Sequence, residues 1–205
     1  MTQVIDWLEK PSAQEVYMLA GWRQWADAGA VSSGLPPYLI DHMHARKIAT
    51  IRSEDFYLFQ LPGTHHLLRP VIKLEEGYPK EIRHHKNEIY YTGNSQQGFV
   101  IFTGDEPHMH IERYVEAFFE IAKTLNVKRV VVVGGIYGMV PYDKDRNISC
   151  TYSHLHLKEQ LAEYAVSFSN YEGGVSLGSY MMAEAQRYDV ESFLFYAFVP
   201  AYDLS

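Results

Sequence analysis

Three groups of residues have the types and spacing to do chemistry. Gly174-Val175-Ser176-Leu177-Gly178 matches the Gly-x-Ser-x-Gly elbow of serine hydrolases. That chemistry needs a strand, a sharp turn and a helix, with an acid and a histidine following in the chain. The last histidine, His156, precedes Ser176, and the gap from Phe168 is too long for a tight elbow. A glycine-rich helix start, which lets backbones approach closely, is the favoured reading. The second group is histidine-rich. The ten histidines fall in five close pairs, His42/His44, His65/His66, His84/His85, His108/His110 and His154/His156. Asp105, Glu106, His108 and His110 form the densest potential metal cluster. A catalytic zinc usually needs three fixed ligands, and no spacing here is diagnostic. These four residues are therefore weak metal candidates, and a polar rim with Glu106-Pro107 opening a helix is favoured, since acids suit the positive helix end. No metal or other cofactor is expected. The third group is Asp27 with Glu106 and Arg146. Each follows a predicted strand, and paired acids can do acid–base work. Helix capping by Asp27 and Glu106, with Arg146 neutralising them, is the favoured alternative, because Asp is among the best cap residues.

The elements that would position these groups centre on Val130–Val133. Four valines in a row, with charge before and glycines after, predict a strand buried on both faces. Ile111, Tyr114, Val115, Phe118, Ala122 and Leu125 recur at helical spacing just before it. Gly98–Thr103 predicts a strand before that helix, so strand, helix and strand form the unit of a parallel sheet. Ligands in open parallel sheets bind beyond the carboxyl ends of strands. Gly134 to Arg146 is therefore the candidate site loop, and the crevice is expected to involve Asp27, Gly29, Glu106, Gly135, Tyr137, Pro141 and Arg146. Gly134-Gly135-Ile136-Tyr137-Gly138 lacks the helix that a dinucleotide fingerprint opens, and no Gly-Lys-Ser/Thr triplet exists for a triphosphate loop.

The remaining chain fits the same scheme. Val16–Ala20 predicts the first strand. A helix to about His44 follows, pausing at Gly34 because proline breaks helix interiors and restarting with Pro36 near its first turn. Lys47–Ile51 predicts a strand and Glu54–Gln60 an irregular stretch. Leu67–Leu74, Tyr78–Arg83 and Glu88–Thr92 predict short antiparallel pieces. Further on, Ile148–Tyr152, Ala165–Phe168 and Ser192–Val199 read as strands, and Leu155–Glu163 and Ser179–Tyr188 as helices. No linker or repeat is visible, so residues 1–205 are read as one α/β domain. The expected fold is a mainly parallel central sheet flanked by helices, with a small antiparallel excursion at residues 67 to 92.

The totals exclude several classes. The 205 residues are 47% hydrophobic and 21% charged, an ordinary globular composition able to bury a sizeable core. A net charge of -7 argues against nucleic-acid or anionic-membrane partners. A lone cysteine, Cys150, excludes an intrachain disulfide framework, has no histidine or CxxC partner, and fits a reducing cytoplasm. The start Met-Thr-Gln-Val-Ile-Asp has no signal-peptide pattern, and no apolar run reaches the roughly 18 to 20 residues of a membrane span. Sixteen tyrosines are many and suit an interface or the edges of a core.

A series of short motifs resembles the proteasome assembly chaperone family of archaea and bacteria. Gly21-Trp22 followed by Asp27-Ala28-Gly29 is similar to that family's Gly-Trp…Asp-Ala-Gly. Phe56-Tyr57 with Arg69-Pro70, Gly104-Asp105-Glu106-Pro107, Tyr171-Glu172-Gly173 and Val199-Pro200-Ala201-Tyr202 resemble later motifs in the same order. The likeness runs from Gly21 to Tyr202. Two places depart from it. The family's Pro-His-Thr-Arg loop is Pro141-Tyr142-Asp143-Lys144-Asp145-Arg146 here, so no role of that His or Thr carries over. The tail Tyr202-Asp203-Leu204-Ser205 lacks the penultimate tyrosine with which archaeal members dock on the proteasome, so docking through it is not expected. The resemblance implies an α/β sandwich similar to the phosphorylase/hydrolase architecture, in three layers, and a homo-oligomer, with a trimer as best guess. Eukaryotic relatives are dimeric chaperones of proteasome α subunits, and some prokaryotic members are labelled carboxylate–amine ligases or ATP-grasp enzymes. A cytoplasmic, protein-binding scaffold is the leading expectation. The alternative is a ligase or hydrolase acting on a small polar substrate in the crevice.

Overall fold

A computed structural model of the protein describes residues 4–60, 69–141, 143–145, 147–168 and 170–201. Among these residues are ten strands and four α-helices. In chain order they are β1 (Ile5–Trp7), β2 (Glu15–Arg23), α1 (Val31–His42), β3 (Arg46–Ile51), β4 (Val71–Glu75), β5 (Tyr78–Arg83), β6 (Asn87–Gly93), β7 (Gln97–Asp105), α2 (Ile111–Thr124), β8 (Val127–Gly138), β9 (Ile148–Tyr152), α3 (Leu157–Gln160), α4 (Leu177–Tyr188) and β10 (Glu191–Pro200). Eight strands form one sheet in the order β1-β3-β6-β7-β2-β8-β10-β9, and β4 and β5 pair apart from it. The fold is α/β, with helices on a large sheet and a separate antiparallel hairpin. Its parallel pairs are confined to the centre, β7–β2, β2–β8 and β8–β10. Both flanks are antiparallel.

The side-chain alternation of β2 fixes the layers. Neighbouring strand residues point to opposite faces. Trp22 packs its ring on Phe118 of α2, with centroids 5.5 Å apart. Gly21 faces the other way, where an added Cβ would lie 2.1 Å from the Ser32 carbonyl oxygen and 2.7 Å from Pro36. Glycine there lets α1 lie directly on the sheet. α2 and α4 cover one face around Trp22, Phe102, Tyr114 and Phe118. α1 covers the opposite face, and α3 closes a smaller cluster of Cys150, Leu157, Leu161 and Phe193 at the β9 edge. The valines of β8 are in the middle of this sandwich, with Val130 and Val132 fully buried.

Several boundaries differ from the sequence reading. α1 runs through Pro36 and Pro37 without a pause at Gly34. Gly134 and Gly135 are not a strand exit. β8 continues to Gly138, because its glycines clear space on both sides: Gly134 for the Tyr196 ring, Gly135 for the Ala28 carbonyl. β6 is not part of the excursion; it pairs with β3 and β7, burying Asn87, Ile89 and Tyr91 on one face. Ala165–Phe168 makes only a single bridge, Ser149 to Ser167, instead of a strand. The expected helix Leu155–Glu163 shortens to α3, and β1 was not foreseen. The start of the predicted strand Leu67–Leu74 lies outside the described residues. No helix among the described residues is long and apolar enough to cross a membrane.

Candidate functional site

Of the predicted crevice residues, Asp27, Gly29, Glu106 and Gly135 lie at the carboxyl end of the parallel strands, where their contacts are with backbone and packed side chains. Asp27 follows β2 and precedes two residues with left-handed backbone, Gly29 (φ 62°) and Ala30 (φ 50°). Its Oδ1 accepts from the Ser32 and Ser33 amides at 2.8 and 2.9 Å, so it caps α1. Gly29 meets the Val199 methyls, and Gly135 donates its amide to the Ala26 carbonyl at 3.0 Å. Glu106 does not open a helix. α2 starts only at Ile111, and Glu106 Oε2 accepts from the Trp25 amide at 2.9 Å. Each acid is thus engaged with a different stretch of backbone. Tyr137 and Pro141 are exposed. Arg146, like Tyr142, lies outside the described residues.

Among the described residues, the cavity that opens there is lined by uncharged side chains. It measures about 370 Å3 and is lined mainly by Trp25, Ile136, Tyr171, Ser176, Tyr196 and Phe198. Ser176, the elbow candidate, is the N-cap of α4: its Oγ accepts from the Ser179 amide at 3.1 Å and pairs with the Tyr196 hydroxyl. No histidine among the described residues lines the cavity. Ser176 follows a loop, not a strand, so the nucleophile elbow is absent at this motif.

The metal candidates disperse. Asp105, the last residue of β7, takes Arg23 Nε at 2.7 Å, the Lys86 amide at 3.0 Å and His85 Nδ1 at 3.5 Å. Burial alone would raise its carboxyl, but His85, the Lys86 amide and the Arg23 charge together hold it below the usual range. His108 Nδ1 accepts from the Leu58 amide at 3.1 Å. His110 precedes α2 in a left-handed conformation, φ 56°. Among the described residues no three His, Cys, Asp or Glu side chains come together to hold a metal.

Beneath Asp105 lies a buried polar chain that the sequence reading missed. Trp22 Nε1 donates to Tyr114 Oη at 2.7 Å, and Tyr114 donates to Asn87 Oδ1 at 2.8 Å. Tyr57 Oη reaches the same Asn87 oxygen at 2.8 Å and the Asp105 carbonyl at 2.7 Å. The Tyr57 ring stacks on His85, with centroids 4.5 Å apart, and meets His108 edge-on. Burial raises the Tyr57 and Tyr114 hydroxyls well above their ordinary range, so both remain neutral donors. This chain ties the Trp22, Tyr57, Asn87, Asp105 and Tyr114 segments together. Only Trp22, Tyr57 and Asp105 lie in motifs quoted above; Asn87 reads in sequence as a turn residue.

The sequence pattern of the PAC2 family matches residues 21–203. The chain belongs to the PAC2 family. A PAC2 family protein from Streptomyces avermitilis shares the fold at TM-score 0.77 and 24% identity, covering 92% of this chain and 77% of that one. A proteasome-assembly chaperone homologue from Mycobacterium tuberculosis superposes at TM-score 0.79 and 22% identity, over 92% of this chain and 76% of that one. PbaA of Pyrococcus furiosus, an archaeal homologue of proteasome-assembly chaperone, follows at TM-score 0.66 and 14% identity, over 95% of this chain and 76% of that one. No curated protein matches the sequence.

Proposed function

We propose that this PAC2 protein is a self-associating, protein-binding scaffold of the assembly-chaperone type, working in the cytoplasm as a homotrimer. The β4–β5 hairpin carries the reading. Every residue of both strands is exposed. Ile72 and Ile82, directly paired across the hairpin, are 51% and 52% exposed, and Leu74 and Tyr78 are 54% and 73% exposed. A lone two-stranded hairpin is marginally stable in water, and clustered exposed apolar side chains mark interaction surfaces. A neighbouring copy that covers this hairpin supplies what the single chain lacks. Trp25, Tyr137, Met139, Tyr171 and Val175 are also exposed, and they offer a second, aromatic surface for a client protein. The M. tuberculosis and P. furiosus neighbours, described as homologues of proteasome-assembly chaperone, support that role by analogy.

Sedimentation equilibrium tests the reading. The wild type is expected near 71 kDa, three chains of 23.6 kDa. The double variant I72E/I82E, with charges on exposed positions, is expected to run as a folded monomer. A wild type that stays monomeric at tens of micromolar removes the self-association claim. Capture from the native host addresses the client: stoichiometric proteasome subunits support the chaperone role, and recovery of the homo-oligomer alone counts against it.

A further inference from the structure

The base of the hairpin has a charge distribution opposite to that of the chain. The protein carries 18 Lys and Arg against 25 Asp and Glu. Yet a cleft of about 680 Å3 beside β5 is lined by Arg23, Arg69, Arg83 and Lys86, with Glu81 and Asp105 as its acids. Arg23 ends β2 and Asp105 ends β7, so the cleft opens beyond the carboxyl ends of two central parallel strands. Open α/β sheets bind ligands at such ends. The volume is that of a small-molecule site.

The cations are not all used up by the fold. Asp105 is neutralised from within by Arg23 at 2.7 Å. Lys86 reaches Glu88 at 2.9 Å, outside the cleft lining, but Lys47 also holds Glu88 at 2.8 Å, so Glu88 stays paired if Lys86 turns away. Arg69 donates to the neutral Gln60 at 2.7 Å and lies over the Phe59 ring, with no carboxylate partner among the described residues. Arg83 meets Glu81 only at 4.0 Å. Arg69 is thus uncommitted to a carboxylate among the described residues, Lys86 can leave Glu88 without stranding it, and Arg83 is loosely held. Guanidinium groups match the geometry of phosphate and carboxylate oxygens. The Ser33 and Thr103 hydroxyls on the cleft wall add neutral donors or acceptors.

We propose that this cleft binds a small polyanion, a molecule with two or more phosphoryl or carboxylate charges. Arg69 and Lys86 engage it directly and Arg83 closes on it from the hairpin. This site is separate from the aromatic surface and from the apolar face through which copies are proposed to associate.

Isothermal titration of the full-length protein decides it, with pyrophosphate and citrate as probes and potassium chloride at matched ionic strength as the blank. The wild type binds at least one probe saturably, one per chain, with Kd below about 1 mM. Tighter pyrophosphate binding assigns a phosphoryl ligand, and tighter citrate binding a carboxylate one. Binding weakens as salt rises, because exposed charges are screened. R69A/K86A loses tenfold or more in affinity, while K158A, on α3 in another part of the fold, leaves Kd unchanged. If the double variant does not fold, R69Q makes the same comparison with a smaller expected loss of several-fold. The proposal is overturned by the absence of saturable binding of either probe up to about 10 mM. Unchanged affinity in the cleft variants, or equal loss in K158A, overturns it as well.

Discussion

Replacing Tyr114 by Phe removes one oxygen from the centre of the buried polar chain and nothing else. Tyr114 is fully buried, and its ring meets Phe56 edge-on with centroids 5.3 Å apart, a contact that Phe retains. No cavity larger than the hydroxyl is created. The loss falls on Trp22, whose Nε1–H donates to Tyr114 Oη at 2.7 Å on a side chain that is itself fully buried. A buried donor left without an acceptor costs about 1–3 kcal/mol. Asn87 Oδ1 loses the Tyr114 donor and keeps only a share of the single Tyr57 proton, which the Asp105 carbonyl also accepts. The expected destabilisation is therefore about 1.5–3 kcal/mol, which for a chain of this size lowers Tm by roughly 3–12 °C. Urea unfolding followed by tryptophan fluorescence, at one fixed protein concentration, measures it. A change below about 0.5 kcal/mol, the ordinary scatter of neutral surface substitutions, would refute the claim that Trp22 depends on Tyr114 for its hydrogen bond.

Three further substitutions probe other parts of the account. Gly135→Ala places a Cβ 2.1 Å from the Ala28 carbonyl oxygen, and thermal melting should show a loss of about 1–3 kcal/mol or more, the range for overpacked sites; an unchanged Tm would mean that the 26–28 loop does not pack on β8. Asp105→Asn tests linkage: the folded carboxyl is depressed, so the unfolded state binds more protons, and its stabilisation is complete above the unfolded value near 3.9 and lost as pH falls through the folded one. Its acid limb below about pH 4 should be flatter than that of the wild type in pH-dependent urea titrations. Ser176→Ala removes the α4 cap and should cost about 1 kcal/mol, with ester hydrolysis at background in both proteins; activity above background in the wild type that vanishes in the variant would restore a nucleophilic role.

The legible part of the fold is the part in which one pattern has one cause. The β-branched run of Val130–Val133 and the helical spacing from Ile111 to Leu125 each demand burial, and both elements formed where periodicity put them. β6 is the antiparallel strand that its alternation predicts, but Ile89 and Tyr91 cannot say which strands pair with them, and these turn out to be β3 and β7 of the main sheet. Gly134-Gly135 looked like an exit because glycine reads as a turn in sequence, whereas here it makes room for Tyr196 and Ala28 inside a strand. The site was harder. Asp27 and Glu106 fall after strands as expected, but the amides that hold them come from residues 32, 33 and 25, a matter of loop geometry. Asn87 joins Tyr57 and Tyr114 across separations of 30 and 27 residues, and no local pattern encodes that meeting.

Hydrogen exchange across residues 71–83, followed by mass spectrometry over a range of protein concentrations, tests most directly whether the hairpin is where copies meet. The account predicts slow exchange of β4 and β5 in concentrated protein, faster exchange on dilution, and fast exchange at every concentration in I72E/I82E. Exchange in this segment that is independent of concentration and the same in wild type and variant would contradict it.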